Sequence, residues 1–271
     1  MPRSSRILAV SCFLTVTYLS TSALAADVYK YQDEKGNWHF SERTSGHHNE
    51  QKYETRSSSE KKMFKDVWVK EHSGTRPALS VINKYHGPIQ AMVHMECTGC
   101  KDKVKTANIV VAANSKELAR RFELSKKRFS IKYKLHIVLG DPDAIPDEDF
   151  IYRLPFPELM EYQVTQSFNG PFSHQDDLNL HAIDVAMPIA TPVLAARSGT
   201  IMAVEESYTE AGTDVAFSNK SNTVYVLHDD GSIGVYAHLD MFSVRVNTGD
   251  VVKMGDLLAR SGNTGFSTGP H

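Results

Sequence analysis

The chain has 271 residues, enough for two or three domains, and 30 Lys+Arg against 32 Asp+Glu leave a formal charge of −2. So balanced a charge argues against a protein that grips many nucleic-acid phosphates, so no nucleic-acid partner is expected. Hydrophobic residues at 41% and charged residues at 23% fit a soluble globular chain, and three cysteines exclude a disulfide-dense mini-protein.

The first element in chain order is an export signal. Arg3 and Arg6 precede an apolar run from Ile7 to Leu19, and Ala23-Leu24-Ala25 supplies the small residues of a cleavage site. This pattern predicts a signal peptide over residues 1–25, cut near Ala25, and a periplasmic or secreted mature chain. The run is shorter than the about 20 residues of a spanning helix. No later segment is apolar enough to cross, so no transmembrane segment is expected. In residues 27–45, Tyr29, Tyr31, Trp38 and Phe40 flank an Asp33-Glu34-Lys35-Gly36 turn, which predicts a small β-hairpin module. It resembles a short N-terminal module common in exported proteobacterial proteins, one without a defined function. Residues 46–78 are polar and weakly periodic. They read as a linker with a brief helix near Lys62–Lys70, in which His47, His48 and His72 are solvated.

Residues 79–150 alternate apolar and polar over short runs, as in Ile89-Gln90-Ala91-Met92-Val93 and Phe129-Ser130-Ile131-Lys132-Tyr133. Turn signals such as His86-Gly87-Pro88 and Gly140-Asp141-Pro142 separate them. A β-sandwich-like domain is predicted, acting as a spacer or docking unit. Cys97-Thr98-Gly99-Cys100 lies inside it. In an exported chain this spacing reads first as a structural disulfide across a tight turn, and second as a redox pair. Without another Cys pair, a four-thiolate zinc site is excluded. Residues 151–271 are Gly-rich and again strand-like. Thr223–His228 and Ile233–His238 form a predicted hairpin around Asp229-Asp230-Gly231-Ser232, and no helix-period segment of useful length appears. The fold class is all-β.

Chemistry-bearing residues concentrate in this last segment: Ser173-His174, His181-Ala182-Ile183-Asp184, Tyr236-Ala237-His238-Leu239 and Gly269-Pro270-His271. Zinc hydrolases need a few His and carboxylate ligands with one position open to water or substrate. Taken singly, each of these histidines would by default be structural.

A resemblance gives them a common meaning. It is carried by Ile183-Asp184-Val185-Ala186-Met187-Pro188, Thr191-Pro192-Val193-Leu194-Ala195, Gly199-Thr200-Ile201 and Tyr236-Ala237-His238-Leu239. Gly249-Asp250-Val251-Val252-Lys253-Met254-Gly255-Asp256 and Ser261-Gly262-Asn263-Thr264-Gly265-Phe266-Ser267-Thr268-Gly269-Pro270-His271 continue it in the same order. Residues about 162–271 thus resemble the catalytic domain of the lysostaphin/LytM-type zinc metallopeptidases, the murein endopeptidases. The resemblance implies a LytM-type β-domain that binds Zn²⁺ through an upstream His, Asp184 and the second His of a terminal His-x-His.

The upstream ligand stays open between two candidates. The usual family spacing falls on Leu180. His181 stands three residues before Asp184, which on an extended strand puts the two on opposite faces. His174, in the Gly170-Pro171-Phe172-Ser173 loop, is favoured. The sequence ends at His271, the first His of the pair, so the third ligand is expected beyond it. The chain is then a fragment that is inactive as given. The resemblance makes His238 and His271 the catalytic, non-ligand histidines, while His228 reads as a strand-end residue.

The function implied is an exported zinc metalloendopeptidase that cuts peptide cross-links of bacterial peptidoglycan. Its partners would be peptidoglycan stem peptides, with cell-wall or divisome proteins as further candidates. The alternative is a non-catalytic LytM-like regulator or scaffold of another wall hydrolase. A lipoyl- or biotinyl-type carrier is excluded, because no lysine stands at a hairpin tip in the required motif.

Overall fold

The computed structural model describes residues 66–74, 76–174 and 179–271, together with the backbone of three short strands before them. The signal peptide, the Asp33–Gly36 turn and the first part of the helix expected near Lys62–Lys70 lie outside the described residues. The chain forms two compact units, residues 1–62 and 63–271.

In the first unit β1 (Val28–Gln32), β2 (Trp38–Ser41) and β3 (Gln51–Tyr53) form an antiparallel sheet of order β2-β1-β3. The predicted hairpin is present, with Tyr31 opposite His39 and Lys30 opposite Phe40. A third strand, β3, falls within the stretch read as a linker.

The second unit begins with β4 (Val67–His72), β5 (Ala78–Asn83), β6 (Ile89–Thr98), β7 (Val104–Val111), β8 (Lys116–Arg121) and β9 (Ser130–Leu139). They make two three-stranded antiparallel sheets, β4-β5-β8 and β7-β6-β9. In β6 the period of two is strict: Ile89, Ala91, Val93, Met95 and Cys97 are buried and Met92, Glu96 and Thr98 are exposed. These side chains meet Leu79, Val81, Val111 and Phe122 in the core between the sheets. Val67–His72 is a strand and not the expected helix, because Val67, Val69 and Glu71 ladder against Asn83, Val81 and Leu79. A β-branched run beside an open strand edge gains more from pairing than from an isolated short helix. Cys97 and Cys100 form a disulfide, with Gly99 between them at φ 86°.

The remaining strands are β10 (Gln163–Gln166), β11 (Asp184–Ala186), β12 (Pro192–Leu194), β13 (Gly199–Glu205), β14 (Ala211–Gly212), β15 (Thr223–Leu227), β16 (Ile233–Tyr236), β17 (Val251–Val252), β18 (Leu257–Arg260) and β19 (Gly265–Phe266). A four-stranded antiparallel sheet of order β16-β15-β13-β17 is flanked by the two-stranded pairs β10-β11, β12-β18 and β14-β19. Val193, Ala195, Ile201, Val224, Val226, Leu239 and Leu258 form its core. Gly199 opens β13 where a Cβ would stand 2.4 Å from the Leu227 carbonyl oxygen, so only glycine lets β13 lie against β15 there. A single 3-10 turn, Val215–Phe217, is the only helix among the described residues. None of the described helices is long and apolar enough to cross a membrane.

Candidate active site

The site starts at the β10-β11 hairpin. Gln163 pairs with Ala186 and Val164 with Val185, then the register shifts so that Gln166 stands opposite Asp184. The extra residue is a β-bulge, a device that re-aims side chains beside functional sites. Between the two strands the chain makes a loop closed by the Asn169 N–H to Leu180 O bond (2.9 Å) and the His174 N–H to Gly170 O bond (3.1 Å). Asn169 takes φ 57° there, a left-handed conformation that asparagine tolerates better than most residues.

This loop carries His174 into the interior, where 3% of it is exposed. Its Nδ1 lies 2.9 Å from Ser167 O and its Nε2 3.1 Å from Asp184 Oδ1. A carbonyl only accepts, so Nδ1 carries a proton and Nε2 is the ring atom turned on the carboxylate oxygen. Two acceptors at that distance repel unless a proton or a metal ion sits between them. Ligand bonds of about 2.0–2.1 Å at a tetrahedral angle put two zinc donors roughly 3.3 Å apart, close to the distance observed. The residues therefore fit the ion. Asp184 Oδ2 accepts from Gln166 Nε2 at 3.1 Å, and a carbonyl behind the imidazole with a donor behind the carboxylate is the usual support of metal ligands. His181 is exposed in the following turn, edge-on to Phe168 with ring centroids 5.3 Å apart.

His238 and His271 come together from distant parts of the sequence, their ring centroids 4.4 Å apart. His238 has φ 54°; its N–H donates to Ser221 Oγ at 2.7 Å and its Nδ1–H to Thr264 O at 2.7 Å. His271 Nδ1–H donates to Gly269 O at 2.8 Å. In both rings Nδ1 is thus committed to a backbone carbonyl, and Nε2 is the nitrogen left for chemistry. Burial lowers the His238 pKa below the ordinary histidine value, and neighbouring His271 lowers it further. The Thr264 carbonyl and the Asp184 carboxylate pull it up, and His174 pushes it down. Those influences join the two pairs, His174–Asp184 and His238–His271, in one electrostatic neighbourhood.

Buried polar residues hold this geometry. Asn222, fully buried, donates through Nδ2 to Tyr208 O (2.8 Å) and Leu239 O (3.2 Å) and accepts from Tyr208 N–H at 2.8 Å. Thr264 Oγ1 accepts from Asn222 N–H at 3.0 Å and donates to Leu239 O at 2.9 Å. Sequence reading did not single out Gln166, Ser221 or Asn222. Polar residues at the mouths of apolar strands were the one available signal. His228 is buried, donates Nδ1–H to Ser198 O at 2.9 Å and packs edge-on to Tyr152, a structural role. Among the described residues, no three His, Cys, Asp or Glu side chains are grouped to hold a metal ion; His174 and Asp184 stand as a pair.

Residues 179–271 match the model of Peptidase family M23, and residues 16–62 match a domain of unknown function, DUF4124. An uncharacterised metalloprotease of Buchnera aphidicola is 37% identical over 122 residues, 44% of this chain and 29% of the relative. The peptidoglycan DD-endopeptidase ShyC of Vibrio cholerae is 34% identical over 88 residues, 32% of this chain and 18% of the relative. The catalytic domain of the antimicrobial peptidase lysostaphin from Staphylococcus simulans is a solved structure with 32% identity. That match covers 41% of this chain and 75% of that one at a TM-score of 0.30. The chain spans less than a third of the length of the Buchnera and Vibrio relatives. The C-terminal segment is a Peptidase M23 domain, homologous to lysostaphin and the LytM-type metalloproteases.

Proposed function

We propose that the protein is an exported zinc metalloendopeptidase that hydrolyses peptide cross-links of bacterial peptidoglycan. The observation that carries the reading is His174 Nε2 held 3.1 Å from Asp184 Oδ1, in the same electrostatic neighbourhood as the tilted ring pair of His238 and His271. The relatives' names support the substrate class, since one is a peptidoglycan DD-endopeptidase.

In this reading His174 and Asp184 are two of the metal ligands. Zn²⁺, when bound, lowers the pKa of water towards about 7 and polarises a carbonyl. The chain's own groups then handle the protons. His238, kept neutral by burial, accepts the proton of the attacking water at Nε2. His271, with its Nδ1–H anchored on Gly269 O, presents Nε2 to the same space. Protonated at Nε2 from solvent before the attack, it stabilises the oxyanion of the substrate and gives that proton to the leaving amine, while the proton taken up by His238 returns to solvent. Histidine suits both tasks because its charge changes near neutral pH.

Metal analysis of the full protein tests the reading. One zinc per molecule is expected, with loss on Asp184→Asn. Absence of zinc from both forms contradicts it. If the protein binds zinc and cuts nothing yet stimulates a separate wall hydrolase, the regulatory reading replaces this one.

A further inference from the structure

Gln166 carries no motif signal, yet more of the site's geometry converges on it than on any ligand. The bulge after Val164 makes it the direct cross-strand partner of Asp184, and cross-strand partners project on the same face of a sheet. Its Nε2 donates to Asp184 Oδ2 at 3.1 Å and to Ser173 Oγ at 2.7 Å. Its Oε1 accepts from Phe172 N–H at 3.0 Å and from Ser173 N–H at 3.4 Å. A side-chain amide offers two donors and one oxygen with two lone pairs, and every one of these is used. The bonded residues fall in two groups: Asp184 on β11, and the two residues immediately before His174.

We propose that Gln166 is the positioning residue of the metal centre, one amide that sets the Asp184 carboxylate and the His174 loop against each other. The proposal rests on the zinc reading above. Holding Oδ2 with an N–H leaves Oδ1, the oxygen that faces His174 Nε2, as the free donor atom. Fixing the Phe172 and Ser173 amides settles where the loop delivers the imidazole. Without this amide both halves of the pair keep their residues and lose their relative placement.

Gly170 makes the same arrangement possible from the other side. A Cβ at this buried position would stand 2.1 Å from Gln166 Cγ and 2.5 Å from Cδ. The loop therefore passes over the Gln166 side chain at a distance that only glycine allows. Adding one methyl group there displaces the amide without deleting it.

The experiment measures zinc affinity of the full protein by chelator competition, with the melting temperature of the metal-free form as a second readout. Gln166→Met keeps the length of the side chain and removes all four hydrogen bonds. Gly170→Ala keeps Gln166 and pushes it aside. Gln163→Ala, an exposed change on the same strand, is the control. Outer-sphere partners of metal ligands are typically worth 10–100-fold in affinity, so both test variants are expected to bind zinc about 10–100-fold more weakly. The control's affinity should stay close to wild type, and the metal-free melting temperature shows which variants fold. If Gln166→Met does not fold, Gly170→Ala decides. Wild-type zinc affinity in the folded variants overturns the proposal and leaves the zinc reading standing. A wild-type protein that takes up no zinc overturns both.

Discussion

At the scale of single residues, the choice between His174 and His181 turns on local backbone geometry. His181 stands exposed in the turn before β11, edge-on to Phe168, while the loop closed on Gly170 and Leu180 folds His174 back beside the carboxylate. His174→Ala in the full protein is expected to abolish stoichiometric zinc, whereas His181→Ala, which removes an exposed ring from Phe168, should leave most of it. The reverse pattern in metal analysis moves the ligand to His181. For His238, replacement by alanine should keep the metal and lower kcat by roughly 10²–10⁴-fold, the usual contribution of a general acid–base group; steady-state kinetics on a soluble cross-linked peptide reads this directly. Asp184, His238 and His271 were legible in the sequence because each sits inside a short contiguous motif. Gln166 and Asn222 were not. Gln166 reaches Asp184 only through a bulge, and Asn222 acts through Leu239 and Thr264, which sequence spacing does not reveal.

At the scale of elements, the strands with strict alternation were readable and those that depend on a neighbour were not. β6 announces itself through its buried odd-numbered positions. β8, Lys-Glu-Leu-Ala-Arg-Arg, has the composition of a helix and becomes an edge strand by pairing with β5, where charge is the expected protection of an open edge. The turn of the β15-β16 hairpin was readable from Asp229-Asp230-Gly231, but its partner was not. Buried Arg197 bonds Asp230 at 2.7 Å and Asp229 at 2.5 Å and lies 3.9 Å over the Phe150 ring. Asp230 also accepts from the Asp147 N–H, which ties the 147–152 segment to the hairpin. Removing one member of a buried pair typically costs about 3–5 kcal/mol, so Arg197→Ala should lower the unfolding free energy by roughly that amount in denaturant titration. Exposed Asp229 adds little.

The same hairpin fixes the sign of an acid effect. The Ser232 hydroxyl, with other hydrogen bonds and Arg197, holds the Asp230 carboxyl well below the usual carboxylate range, and burial lowers the His228 pKa. Both folded-state values are depressed, so both contributions are complete above the unfolded-state values and are lost as the pH falls. His228 weakens the fold first, below about pH 6.5, and Asp230 only below about pH 4. The melting temperature should therefore fall between pH 7 and pH 5, and His228→Gln should reduce that slope. A slope unchanged in the variant contradicts the assignment.

At the scale of the whole molecule, the boundary near residue 150 that the sequence suggests is crossed by a hydrophobic core. On β13 Ile201 faces the interior of the M23 domain, while Met202 and Ala203 join the sandwich core, with Tyr225, Leu227 and Ile233 packed beside them. A register shift in β13 between Ile201 and Ala203 breaks the strict alternation of faces there, so one strand serves two cores. Nothing in the order of residues marks this, because a buried strand reads alike whichever unit covers it. Met202 is fully buried, and Met202→Ala should cost about 2–5 kcal/mol. The loss should move one unfolding transition shared by probes in the sandwich and in the M23 domain. Separate transitions, with the sandwich unmoved, would show that the shared core contributes nothing.

The central claim, a zinc peptidase that cuts peptide bonds of the bacterial wall, is met most directly by incubating the full protein with purified peptidoglycan. Free amino groups and reducing sugars are then counted with and without a chelator. Free amino groups without new reducing ends are expected, because no carboxylate pair of a glycosidase is part of the site. Chelation should stop their release and added Zn²⁺ should restore it. Release that continues under chelation, or that appears as reducing sugar, contradicts the account.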